Sequence, residues 1–214
     1  MEKGSLILTA KGLNTKMGLS LIAKALEKES LENKKIYLVS LPEYEIGEKL
    51  MQACVKIGFK EANITVSSEC YPQNEKMDYI YVGEAIRTAE LGAYMQRFGI
   101  MPYILECMNA GAVYIGASAG AMVASTPDYR LCKDIDSGFV SRDPNYANFA
   151  FTGLCLLDGT IIPHYTEEQL QAYVKTKSDY ELSGYEHIYS VANDEAIIIE
   201  NGCRKVIKFS PANL

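Results

Sequence analysis

Histidine is scarce in this chain. Its 214 residues hold two, His164 and His187, so a mechanism that needs an imidazole base must use one of them. No Cys-x-x-Cys pair occurs. The six cysteines, at 54, 70, 107, 132, 155 and 203, are scattered, which argues against a disulfide framework and for reduced thiols in a cytoplasmic protein. No apolar run is long enough to span a bilayer, and the first residues, Met1-Glu2-Lys3-Gly4, lack a signal-peptide pattern. Basic charge is in deficit: the formal net charge of -6 argues against nucleic acid or an anionic membrane as the main partner. Gly-Lys-Ser/Thr is absent, which argues against a Walker phosphate loop. No internal repeat or linker breaks the chain, so residues 1–214 are expected to form a single α/β domain, with no metal or cofactor.

What is present is an alternation of strand-like and helix-like segments. Ser5–Thr9, Lys35–Ser40, Asn63–Ser67, Asp78–Gly83 and Ala112–Ile115 read as buried strands. Helical spacing fills the intervals at Gly18–Glu29, Glu45–Phe59, Ile86–Arg97 and Pro102–Asn109. Such alternation predicts right-handed βαβ units and a mainly parallel central sheet between helix layers, a three-layer sandwich. From Thr126 to Ala150 the chain turns polar and loses its periodicity, apart from a candidate hairpin at Ser137–Val140. A further strand, Gly159–His164, and a helix, Glu167–Lys177, opened by Thr166, follow. Short strands at Ile188–Ala192, Glu195–Glu200 and Cys203–Phe209 close the chain, the last two joined by an Asn201-Gly202 hairpin signal.

The stretch with the most chemistry is Gly116-Ala117-Ser118-Ala119-Gly120. It lies between a strand and a helix, the setting of a nucleophile elbow, where a Cβ at either glycine would crowd the bend. A serine hydroxyl needs a base, and His164, at a strand end and at the same sheet edge, fits. His187 lies in a polar segment and is expected to face solvent. Asp134 is the favoured acid to orient the imidazole, then Asp136; Asp158, Asp194 and Glu195 are alternatives. The oxyanion hole is expected to combine the amide of Ala119 with one from the turn after the fourth strand, at Glu84 or Ala85. An α/β-hydrolase would also use Gly-x-Ser-x-Gly, but the chain is short for that fold with its cap. A cysteine hydrolase is disfavoured, because no cysteine has comparable surroundings.

Tyr114-Ile115-Gly116-Ala117-Ser118-Ala119-Gly120-Ala121 resembles the elbow of the peptidase E family of serine peptidases. Ile162-Pro163-His164-Tyr165-Thr166 is similar to that family's Pro-His-Phe-Thr segment. Leu6-Ile7-Leu8-Thr9 and Asn193-Asp194-Glu195-Ala196-Ile197 are similar to its first strand and closing hairpin. The resemblance implies a fold like that of class I glutamine amidotransferase domains, with serine replacing their cysteine. It also implies Ser118 as nucleophile, His164 as base and an acid shortly after the elbow, where Asp134 and Asp136 fall. Family activities are aspartyl dipeptidase and cyanophycinase. Two stretches depart from the family pattern. Gly83-Glu84-Ala85 stands where Gly-Gly-Asn is usual, putting an anion near the oxyanion hole, and the arginine that serves aspartyl specificity is missing just beyond His164. Arg204 is the first arginine after that histidine; Arg87, Arg130, Lys133 and Arg142 are other available cations. The expectation is a cytoplasmic, dipeptidase-like serine peptidase acting on small peptides through an acyl-enzyme, with a homodimer open to it. The alternative is a catalytically weakened relative that binds a small molecule or a partner.

Overall fold

The computed structural model describes residues 4–41, 47–67, 75–125, 153–177 and 187–209. Its main sheet has seven strands in the order β3-β2-β4-β5-β1-β8-β9. The strands β1 (Leu6–Thr9), β2 (Ile36–Val39), β3 (Ile64–Val66), β4 (Tyr79–Val82) and β5 (Val113–Ala117) run parallel. An antiparallel hairpin, β8 (Glu195–Glu200) and β9 (Cys203–Lys208), extends the sheet beyond β1. Its turn has Asn201 at φ 49° and Gly202 at φ 73°, the left-handed pair that a tight hairpin requires.

Both faces of the parallel strands are buried, and the period of two sorts their side chains into two cores. Leu6, Leu8, Tyr37, Ile80, Val82 and Tyr114 point to one face. There they pack against α3 (Thr88–Arg97), α4 (Ile100–Asn109) and the short α5 (Ala119–Ala124). Ile7, Ile36, Leu38, Tyr81 and Ile115 point to the other face, against α1 (Lys16–Ala25) and α2 (Gly47–Ile57). This is the expected three-layer arrangement. The first helix starts earlier than its apolar spacing predicts, because the Thr15 side chain caps Gly18 N at 3.0 Å, and it stops at Ala25 rather than Glu29.

One strand departs from expectation. β6 (Thr160–Pro163) does not join the main sheet; it pairs in parallel with β7 (Ile188–Val191) in a separate two-stranded sheet. One face of this ribbon enters the main core through Ile161 and Val191. Ile162, on the other face, packs with Leu170 of α6 (Glu167–Val174), whose N-terminus carries a Thr166/Gln169 capping box. The segment that leads into β6 is fastened to α5 by Leu154 N donating to Val123 O at 2.7 Å and Leu156 N to Ala124 O at 2.8 Å. Among the described residues, no helix is long and apolar enough to cross a membrane.

The bend from β5 into α5 depends on two glycines. A Cβ on Gly120 would lie 2.0 Å from Val82 O, and one on Gly116 2.7 Å from Gly120 O. Gly120 N donates to Gly83 O at 3.2 Å, so this missing side chain brings α5 against the tip of β4. The buried Tyr114 hydroxyl donates to Gly120 O at 2.7 Å, and burial holds that phenol well above its ordinary pKa, so it stays a donor. The Gly120→Ala variant is expected to lose about 3 kcal/mol of stability, read from urea unfolding midpoints; an unchanged midpoint would show that the contact is not limiting.

Candidate active site

The residue between the two glycines is held in a conformation that side chains avoid. Ser118 has φ 51° and ψ -111°, a backbone state costing about 1–3 kcal/mol where it occurs outside glycine. Neighbouring bonds enforce it. Ser118 N donates to Thr9 O at 2.9 Å, and Ser118 O accepts from Ala121 N at 3.0 Å and Met122 N at 3.1 Å. The backbone is thus fixed on both sides, and the half-buried side chain projects at the carboxyl edge of the sheet, where ligands bind in open α/β sheets.

His164 comes from the other sheet. Its amide donates to Val191 O at 2.8 Å, completing the β6–β7 pairing, and its φ of 70° turns the chain sharply away from the ribbon. Ser118 Oγ and His164 Nε2 are 2.9 Å apart. On the far side of the ring, His164 Nδ1 lies 2.7 Å from Asn193 Oδ1. An amide oxygen only accepts, so Nδ1 carries the proton and Nε2 presents its lone pair to the serine hydroxyl. The arrangement can take a proton from Ser118 and later return it.

Asn193 is not among the residues that the sequence offers as candidates for orienting the imidazole, all of which are carboxylates. It lies in the turn Ala192–Asp194 that leads from the small sheet into β8, closed by Glu195 N donating to Ala192 O at 3.1 Å. The acids weighed nearby have other positions. Glu195 pairs with Lys208 at 2.8 Å, Asp194 is exposed, and Asp158 precedes β6, at the opposite end of that strand from His164. Asp134 and Asp136 lie outside the described residues. The signal for Asn193 was its place, in the short turn before the closing hairpin, next to two acids that were weighed.

Ala119 is the first residue of α5, so its amide belongs to the helix N-terminus. Glu84 and Ala85 follow β4, beside the elbow. Glu84 does not simply stand as an anion facing the serine: its Oε1 accepts from Gly12 N at 2.7 Å. Arg87 pairs with Glu90 at 2.7 Å. Arg204 lies over the Tyr189 ring, 5.4 Å from its centroid. It pairs in register with Ile199, which faces Leu6 at the amino ends of the parallel strands, the edge opposite Ser118. Arg130, Lys133 and Arg142 lie outside the described residues. His187 is exposed near Tyr189, away from the pair. Among the described cysteines, Cys54 and Cys107 are buried thiols and Cys155 and Cys203 exposed ones, and burial pushes the Cys54 thiol up to about 12.

A mainly parallel sheet with a strained serine elbow and a histidine on its hydroxyl defines a hydrolase-like α/β protein, and comparison with known proteins places it further. The profile of peptidase family S51 matches residues 45–207. The chain belongs to that family and is a peptidase. It is similar to two proteins described only as uncharacterized peptidases. Lmo0363 of Listeria monocytogenes is 32% identical over 157 residues, 72% of this chain and 73% of the relative. Lin0382 of Listeria innocua is 30% identical over 162 residues, 73% and 72% of the two chains. Among solved structures, the fold is similar to that of a Listeria monocytogenes protein named for peptidase E, with a TM-score of 0.66, 22% identity and coverage of 98% of this chain and 100% of that one. It is also similar to a peptidase from an acI-B1 Actinobacterium, with a TM-score of 0.61, 16% identity and coverage of 98% and 89%.

With two histidines, the tautomer assignment is directly measurable. In 15N-histidine NMR at neutral pH, His164 is expected to show a protonated Nδ1. Asn193→Ala is expected to shift it toward the Nε2-protonated form while His187 stays unchanged; a spectrum identical to that of the parent would count against the Asn193 contact.

Proposed function

We propose that this chain is a serine peptidase of the peptidase E type that hydrolyses small peptides, dipeptides among them, through an acyl-enzyme. The observation that carries the reading is the 2.9 Å approach of Ser118 Oγ to His164 Nε2 at a strained elbow. His164 takes the hydroxyl proton as Ser118 Oγ attacks the scissile carbonyl carbon. The carbonyl oxygen gains the negative charge and is met by the amide of Ala119 and an amide of the Glu84–Ala85 turn. The imidazolium then gives its proton to the leaving amine, and the C–N bond breaks. Water, deprotonated by the same imidazole, attacks the acyl-enzyme and frees Ser118. Asn193 orients the ring through Nδ1, the place that a carboxylate takes in the Ser-His-Asp arrangement. An amide there keeps the tautomer and lacks the charge that stabilises an imidazolium; Asp134 and Asp136 remain the candidate carboxylates for that role.

The competing reading is a weakened relative that binds a small molecule or partner. It rested on the anion at Glu84, and the Glu84–Gly12 bond removes much of its motive. No arginine follows His164 before Arg204, so the substrate is proposed as a small peptide without an aspartyl requirement. A fluorophosphonate probe is expected to label the parent protein and to leave Ser118→Ala and His164→Ala unlabelled, or labelled at least 100-fold more slowly. Equal labelling of Ser118→Ala would sink the proposal. A dipeptide library screened with Ser118→Ala as the control would then define the substrate.

A further inference from the structure

The sequence makes Glu84 a threat to the oxyanion site, and the geometry points to the opposite role. We propose that Glu84 is a positioning residue that fixes the turn after β4 in register with Ala119. The inference rests on the serine-peptidase reading above and adds to it the part that holds the second oxyanion donor.

The carboxylate is fastened across the elbow. β4 and β1 are not neighbours in the sheet; β5 lies between them. Glu84, just past β4, nevertheless accepts from Gly12 N, just past β1, at 2.7 Å. Its side chain therefore bridges past the tip of β5, the strand that leads into Ser118. The anchor it reaches is rigid. Gly12 O accepts from Thr15 N at 3.1 Å and from Thr15 Oγ1 at 3.0 Å. Thr9 Oγ1 donates to Lys11 O at 2.9 Å, and Leu13 N donates to the buried Tyr81 hydroxyl at 3.1 Å. Gly18, in the first turn of α1, sits so close beneath that a Cβ there would come within 2.2 Å of both Lys11 O and Gly12 O.

The other side of the turn is fixed as well. Gly83 N donates to Val39 O at 2.8 Å, and Gly83 O accepts from Gly120 N at 3.2 Å. Gly83 is thus tied to β2 and to the elbow helix, but these bonds end one residue before the peptide units that would face an oxyanion. The Glu84 bond to Gly12 supplies the next fixed point. In this proposal it adds to the packing of Ala85 against the core and sets the orientation of the Glu84–Ala85 peptides. A charge-assisted bond of this length is stronger than a neutral one, and a displacement of about 1 Å in a reacting group can cost about 100-fold in rate. A residue that would oppose an oxyanion through its charge instead serves it through its reach, its charge directed at a backbone N–H.

The test compares the parent, Glu84→Gln, which keeps an acceptor oxygen, and Glu84→Ala, which has none. Two readouts are used: the rate of fluorophosphonate labelling and amide hydrogen exchange over residues 10–15 and 83–87. Glu84→Ala is expected to label 10- to 100-fold more slowly and to exchange faster in both segments, while Glu84→Gln stays within about threefold of the parent rate with parent-like exchange. If Glu84→Ala does not fold, Glu84→Asp, too short to span to Gly12, replaces it with the same expectation. Parent-like labelling by the Ala or Asp variant overturns the role, as does exchange unchanged in either segment, or a Gln variant as slow as the Ala variant. Labelling that is absent from the parent, or unaffected by Ser118→Ala, condemns the serine-peptidase reading instead, and the exchange data then decide the Glu84–Gly12 clamp by themselves.

Discussion

The contact on which the site depends is a backbone-to-backbone approach at Gly120. With no Cβ there, α5 lies against the carbonyls of Val82 and Gly83, and the Gly120 amide bonds to the second of them. This approach sets the angle at which the chain leaves β5, and that angle in turn holds Ser118 in a conformation few residues adopt. The strain is supported from below by Tyr114, whose hydroxyl holds the Gly120 carbonyl from within the core. Side-chain packing thus fixes the backbone, and the backbone fixes the nucleophile candidate.

Much of the fold was legible because both faces of its central strands are buried. Runs such as Ile36–Val39 and Tyr79–Val82 have no polar interruption, and turn residues mark the ends of most of them. The elbow was legible for a steric reason, since both of its glycines are required by close contacts. His164 stood out because it has one competitor in the chain. The sequence did not show that β6 leaves the main sheet: a buried apolar strand reads the same in a seven-stranded sheet as in a two-stranded ribbon. Asn193 is not legible from a pattern of charge, because the ring nitrogen needs only an oxygen that accepts. Nor does the position of Glu84 in the chain say where its flexible side chain directs its oxygen.

The two aspects of the site, charge and geometry, are kept apart. The described side-chain contacts of Ser118 run from hydroxyl to imidazole to amide. Three described carboxylates near the site have partners of their own: Glu84 with Gly12, Glu195 with Lys208, and Glu167 with the Gln171 and Ser190 side chains, which hold its pKa below the usual range. Each such partner stabilises a carboxylate where it is and limits its pull on the imidazole. The anionic character of the chain therefore need not oppose the oxyanion of the proposed reaction.

The Ser118–His164 pair joins two separate sheets. Ser118 belongs to the seven-stranded sheet, His164 to a ribbon of two short strands, and Asn193 to the turn that passes from one to the other. A two-stranded ribbon has few ladder bonds of its own and relies on what it packs against, so it can open locally while the larger sheet stays intact. Loss of the histidine contact would then be an early event on heating or in dilute denaturant, well before the sheet melts. Circular dichroism would register a folded protein at a stage when the Ser118–His164 contact had already gone, so any activity that uses that contact would report on the ribbon rather than on the fold as a whole.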